Sequence, residues 1–304
     1  MPPFEDFKPY FVTGLSLGGV YAMSGVAIVV LYRATGVLNL AFGAIGAMGA
    51  LISWTIINYS SVPDWLAYLI CIAFGGVVTL VYGLIFGPPL ARRDPLVKAV
   101  GTLGLALILL GIMENQWPPK SRSMLLPTSN WHYQIGIVQI TWTQIIGFGF
   151  GILVTILVGA FLRFTRLGSA MRALADDREI TATLGVPVRR VESVAWFGSG
   201  LIAGAAGLLL SNLVSLDAVT LSIPLVISVL AAALIGRLSS LVVTLVAGLV
   251  VGLASALLVP ILTWPDATYS LSVFHDATPF ALAILALLWV ARRRVVSIGR
   301  SGGR

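Results

Sequence analysis

Charge is what this sequence has least of: acidic and basic side chains make up 10% of its 304 residues, against 58% hydrophobic ones. Soluble domains carry roughly 25% charged residues, so too little polar surface remains here to cover a water-soluble globule. Cysteine is nearly absent as well. The single Cys71 excludes an intrachain disulfide framework or a cysteine metal site, and within its apolar run a small buried or lipid-facing side chain is its ordinary role. Histidine is confined to His132 and His275, in two separate expected loops, which argues against a zinc site built from them. The sequence holds no GxxxxGK[ST] phosphate loop, no HExxH motif and no Ser, His and Asp set that can be placed together. It therefore lacks the machinery for nucleotide hydrolysis or triad catalysis of its own.

What is present instead is a succession of apolar runs. Residues 9–32, 34–63, 65–91, 99–113, 143–162, 193–216, 218–236, 238–265 and 277–291 hold no Asp, Glu, Lys or Arg. A spanning helix needs about 20 apolar residues, so eight or nine spans are expected, with 99–113 and 277–291 short enough to tilt or to borrow polar ends. Barrel strands would be shorter and would alternate in polarity. The expected fold is thus all-α, a polytopic transmembrane helical bundle forming one domain over residues 1–304. The first seven residues are acidic rather than basic, which predicts that the first run stays as a span instead of being removed as a signal.

The net charge of +7 could suggest a nucleic-acid partner, but its distribution points to a membrane. All basic residues except Lys8, Lys120 and Arg122 fall in every second gap between spans: Arg33; Arg92, Arg93 and Lys98; the six arginines from Arg163 to Arg190; Arg237; and the tail from Arg292 to Arg304. Cytoplasmic loops carry the positive charge. Nine crossings then put the N-terminus outside and the C-terminus in the cytoplasm, with the basic tail an anchor for lipid headgroups.

Three connections are long enough for roles of their own. Residues 114–143, with Pro118, Pro119 and Pro127 among Trp117, Trp131 and Trp142, suit an ordered external loop at headgroup level, and 260–279 forms a second external loop; an ordinary solvated loop is the alternative for both. The third, 163–192, is the one long cytoplasmic loop. Its composition predicts a helix from about Ser169 to Leu184, stopped by Gly185 and Pro187, with Met171, Leu174, Ala175, Ile180 and Leu184 as an apolar stripe. Alone, such a helix would lie on the membrane surface. Glycines at small-xxx-small spacing, Gly200 with Gly204 and Gly248 with Gly252, predict close helix approach. The stretches 34–63 and 218–265 look interrupted, the first by Gly36 and Asn39, the second by Pro224 and by residues 236–240, and broken helices often line a substrate route.

Three segments carry a family resemblance. GLSLGGVYAMSGVAIVVLYRATGVLNLAFGAIGAMGA, from Gly14 to Ala50, resembles the start of the branched-chain amino acid permease family of ABC importers. VGTLGLALILLGIMENQW, from Val100 to Trp117, is similar to that family's following span, and LGSAMRALADDREITATLGVPVRRV, from Leu167 to Val191, to the loop by which such permeases grip their ATPase. Phe42, where relatives often place a polar residue, and IGRLS at 235–239, where the family has a glycine-rich pattern, depart from it.

The resemblance implies an importer subunit in the bacterial inner membrane that moves branched-chain amino acids or a related small organic solute. Its implied partners are a second permease, identical or homologous, two cytoplasmic ATPases and an external solute-binding protein, with ATP and Mg held by the ATPases and no cofactor in this chain. Residues Ala175 to Gly185 would form the coupling helix: Asp176, Asp177, Arg178 and Glu179 would make rim contacts, while Ala182, Leu184 and Gly185 would allow close approach. For the pathway the candidates are Asn39, Phe42, Gly43, Gly46 and Thr102, because a buried amide is costly unless it meets a partner or a wet cavity; the alternative for Asn39 is a helix cap. An ion-gradient-driven secondary carrier is the rival reading. Such a carrier needs an ionisable group at membrane depth, and the charge-free runs contain none.

Overall fold

The computed structural model describes residues 4–262 apart from 92, 119, 121, 125, 130, 136 and 137, together with positions 281, 284, 285 and 288. In lipid every backbone polar group must find a partner inside the protein, and a helix supplies those partners within one segment. The described chain accordingly folds into α1 (Phe4–Thr35), α2 (Phe42–Tyr59), α3 (Asp64–Leu90), α4 (Pro95–Gln116), α5 (Trp142–Phe164), α6 (Arg166–Asp176), α7 (Arg178–Thr183), α8 (Val188–Leu213), α9 (Ala218–Ile235) and α10 (Leu241–Leu262). All except α6 and α7 are long and apolar enough to cross a membrane, which makes eight spans among the described residues. The ninth apolar stretch, the external segment beyond Leu262 and the basic tail lie outside the described residues, apart from the four isolated positions.

Helices α1 and α8 form the middle of the bundle. The most apolar windows of α1 and α8 are 83% and 67% buried, whereas those of α3, α4 and α5 do not exceed 28%. The outer helices present Ile85, Leu107, Ile108, Ile156 and Leu157 to the surroundings, a surface suited to lipid tails. Between them, Phe42, Ile45, Leu51, Leu221 and Leu225 pack into the central core. Lipid is as apolar as leucine, so helices associate through close packing instead of water exclusion. At the α3–α8 seam, Gly75 and Gly200 meet backbone to backbone, and a methyl on either would run into the other chain segment. The α1–α10 seam is built the same way from Gly18 and Gly252, so the expected small-residue spacing is realised as two helix contacts.

Long-range hydrogen bonds define the two ends of the bundle. At one end the Arg33 guanidinium donates to the Ser239 carbonyl at 3.2 Å, and Arg178 pairs with Glu192 at 2.8 Å. At the other, the Trp117 indole donates to Thr55 Oγ1 at 2.8 Å, Leu216 N–H to the Arg122 carbonyl at 2.8 Å, and the Asn212 amide to the Met124 carbonyl at 2.9 Å. The gaps rich in arginine thus gather at one end and the 114–143 segment at the other, as alternating crossings require.

Both expected interruptions are present. The first lies at 36–41, where Gly36 has φ +68°; the second lies at 236–240, where Arg237 and Leu238 both have φ +53°. Pro224 causes no break and is accommodated inside α9. The 114–143 segment adds a hairpin not anticipated from composition: β1 (His132–Ile135) pairs antiparallel with β2 (Val138–Thr141), Tyr133 opposite Ile140.

Candidate coupling and pathway site

The connection between α1 and α2 is held at the basic end by two buried polar side chains. Asn39 is fully buried, and its Oδ1 accepts from Ala41 N–H at 3.1 Å. That bond closes a turn ahead of α2, whose N-terminus has no side-chain cap, and it uses half of the side chain. The other half, Nδ2, is buried without a hydrogen-bond partner, a state that costs about 1–3 kcal/mol in a closed interior. Thr102, on α4 and equally buried, bridges the same connection: its Oγ1 accepts from Leu40 N–H at 3.1 Å and lies 2.8 Å from the carbonyls of Leu38 and Ala99, to one of which its single proton is donated.

The other pathway candidates are packing positions within this chain. Phe42 is fully buried in the central core. A methyl at Gly43 would collide with the Ser222 carbonyl of α9, and one at Gly46 would approach the Ala203 carbonyl and Gly207 of α8. These residues fix where α2 sits against α8 and α9.

The 163–192 loop folds as two short helices where one was expected. Asp177 leaves helical geometry, with φ −152° and ψ 113°, because its carboxylate accepts from Ile180 N–H at 2.9 Å and caps α7. Thr165 caps α6 in the same way through Gly168 N–H at 2.9 Å. Gly185 ends α7 in the left-handed region at φ +82°, which glycine enters without steric cost. The apolar stripe therefore divides. Met171 and Leu174 on α6 are buried against Leu31, Leu162 and Val191, while Ile180 is 59% and Leu184 77% exposed at the tip.

The charged candidates also divide. Asp177 serves as a cap, and Arg178 turns back to the ion pair with Glu192 of α8. Asp176, Glu179, Ala182 and Gly185 are exposed, and Ala175 is half-buried. Sequence reasoning missed Lys98 and Glu192. Lys98 is 8% exposed near the start of α4, and Lys98, Arg178 and Glu192 are within electrostatic reach of one another. A methyl at Gly36 would stand 3.4 Å from Lys98 Nζ. One ion pair, Arg178 with Glu192, thus lies within electrostatic reach of Lys98, which stands beside Gly36 at the start of the connection that Asn39 and Thr102 hold. The only trace of this arrangement in the sequence was two charges just outside the apolar runs. Among the described residues, Lys98 is the one charged side chain that is buried, and no group of three or more His, Cys, Asp or Glu could hold a metal.

Comparison with known proteins adds to this geometry. Residues 10–291 match the family model described as branched-chain amino acid transport system / permease component. The chain is 24% identical over 299 residues to the high-affinity branched-chain amino acid transport system permease protein LivH of Escherichia coli K12, covering 94% of each chain. It is 25% identical over 308 residues to the corresponding permease protein BraD of Pseudomonas aeruginosa, covering 95% of each. Among solved structures, PsaBC from Streptococcus pneumoniae in complex with Fab aligns over 90% of this chain and 89% of that one, with a TM-score of 0.48 and 13% identity.

Proposed function

The chain belongs to the branched-chain amino acid transport permease family, and from that premise we propose that it is the membrane-spanning subunit of an ATP-driven importer for branched-chain amino acids or a related small organic solute. It resides in the inner membrane as a multi-pass protein. With the arginine-rich end in the cytoplasm, the N-terminus lies outside and the C-terminus inside. The subunit does no chemistry. Two ATPases bind and hydrolyse ATP with Mg, a second permease completes the pathway, and an external solute-binding protein delivers the solute.

The observation that carries the mechanism is α7. It is capped by Asp177 and tied to α8 by Arg178, yet it presents Glu179, Ile180, Ala182 and Leu184 outward at the basic end. A free surface helix has little reason to expose Ile180 and Leu184 to water while Met171 and Leu174, two turns earlier, are buried. An ATPase cleft covering those side chains removes that cost, roughly 1.5–3 kcal/mol for each fully buried residue. Motion of the cleft then moves α7 as a rigid body, and the Arg178–Glu192 pair, with Lys98 in electrostatic reach, relays it to the α1–α2 connection. There Asn39 Nδ2 faces the route, with Thr102, Phe42, Gly43 and Gly46 holding its walls in place. Substrate selection lies largely with the external binding protein.

The rival, an ion-driven carrier, requires a titratable group at membrane depth. Among the described residues the buried cation is at the basic end and already has a carboxylate within reach, which favours the ATP-driven reading. The test is to replace Leu184 with Asp in the chain co-expressed with its ATPase. Loss of both ATPase co-purification and solute uptake is expected; uptake that persists and collapses with an ionophore would overturn the proposal.

A further inference from the structure

We propose that the bundle binds an anionic phospholipid at the basic end, with one acyl chain in the groove between α5 and α8 and its phosphate at Arg33 and Arg172. The groove is a cavity of about 240 Å³ walled by Ala27 and Val30 of α1, Val158 and Phe161 of α5, Met171 of α6 and Ile202 of α8. From Val194 to Ile202 along α8 it extends for about 12 Å at the helical rise. Its lining is almost wholly apolar; the exception is Ser199, whose Oγ is buried and unpartnered. One hydroxyl cannot hold an α-amino and an α-carboxylate group together, so the wall suits a hydrocarbon chain and not the transported solute.

The mouth supplies the charge. Val30 and Met171 are shared with a smaller depression that is lined also by Arg33, Leu162 and Arg172. Arg33 bonds to the Ser239 carbonyl and Arg172 to Ser169 Oγ at 3.2 Å, and neither has a carboxylate in ion-pair contact among the described residues. Arg163 and Arg166, exposed at the same end, add to the field. Two guanidinium groups above an apolar slot match a lipid phosphate over its acyl chain, and basic pockets between spans at the cytoplasmic side are suited to such headgroups. Met171 walls both parts, so the lipid would brace α6 directly. Binding itself does not depend on the importer reading.

The structure offers a variant that fills the slot without disturbing the bundle. Gly198 lines the groove, and a Cβ there meets nothing within 4 Å, so Gly198→Leu occupies the acyl position. The full chain, purified with the subunits it assembles, is to be reconstituted in vesicles of phosphatidylcholine containing phosphatidylglycerol, and the retained lipids counted by native mass spectrometry. The wild type is expected to retain phosphatidylglycerol preferentially. Arg33→Gln and Arg172→Gln should each lower that preference by about fivefold, the equivalent of ~1 kcal/mol per cation near the surface, while Gly198→Leu should abolish retention of the tightly held lipid of either class. Unchanged retention in Gly198→Leu would overturn the site. So would cross-linking of Gly198→Cys to a second protein chain, which would make the groove a subunit contact; retention of free inorganic phosphate in place of lipid would reduce it to an anion site.

Discussion

Breaking the Arg178–Glu192 pair should loosen α7 selectively, and the size of the effect differs between the partners. The pair is 2.8 Å long, with side chains 36% and 13% exposed. It therefore falls between exposed pairs, worth about 0.2–1 kcal/mol, and buried ones, whose breakage costs about 3–5 kcal/mol. Arg178→Gln leaves Glu192 with Lys98 still in reach, so a cost of ~1 kcal/mol is expected, about a fivefold rise in local opening. Glu192→Gln leaves two cations facing each other without their carboxylate; ~2 kcal/mol, about thirtyfold, is expected there. In the double variant the repulsion is gone, and the effect should return towards that of Arg178→Gln, so the two changes will not add. Hydrogen exchange of a peptide spanning 178–184, followed by mass spectrometry in the assembled complex, reads this directly. Equal effects of the two single variants, or a double variant equal to their sum, would refute the three-charge arrangement.

Thr102→Val removes the hydroxyl that accepts from Leu40 N–H and donates to the Leu38 or Ala99 carbonyl; with Leu40 N–H left unmet, a stability loss of about 1–3 kcal/mol and a lower thermal midpoint in detergent are expected. Asn39→Asp keeps the acceptor for Ala41 N–H but buries an unpaired carboxylate in place of Nδ2, so both uptake and the thermal midpoint should fall; unchanged uptake would remove Asn39 from the route. Gly200→Leu should collapse the α3–α8 seam and prevent accumulation of folded protein, since overpacking a tight contact costs about 1–3 kcal/mol or more, whereas Gly104→Leu, where a Cβ meets nothing, should be tolerated. Gly185→Val forces a β-branched residue to φ +82° and should cost about 1–3 kcal/mol in the α7 termination, seen as weakened ATPase co-purification.

The spans were legible because the signals that mark them are local. Runs without charge set the helices, Gly36 and the 236–240 segment set the interruptions, and alternating arginines set the two ends, as the Arg33–Ser239 bond bears out. Gly185 was legible as a stop for the same reason. The break at Asp177 was harder: the same side chain can extend a helix or cap the next one, and the choice was made by burial of Met171 and Leu174 against the bundle. The roles of Lys98 and Glu192 were not legible, because each lay just outside an apolar run and their approach across 94 residues of sequence is set only by the assembled bundle. The hairpin at 132–141 carried a faint signal, β-branched and aromatic residues around Gly136, obscured by the prolines before it.

The central claim is that α7 is where a separate ATP-driven subunit grips this permease. Ile180→Cys carrying a short photo-cross-linker, in a complex reconstituted with its ATPase, tests it most directly. The expected result is a cross-link from the exposed tip to the ATPase, formed on the cytoplasmic side and changing in yield when ATP and Mg are added. A tip labelled from the external side, or one that reaches no ATPase while ATP-dependent uptake continues, would contradict the account.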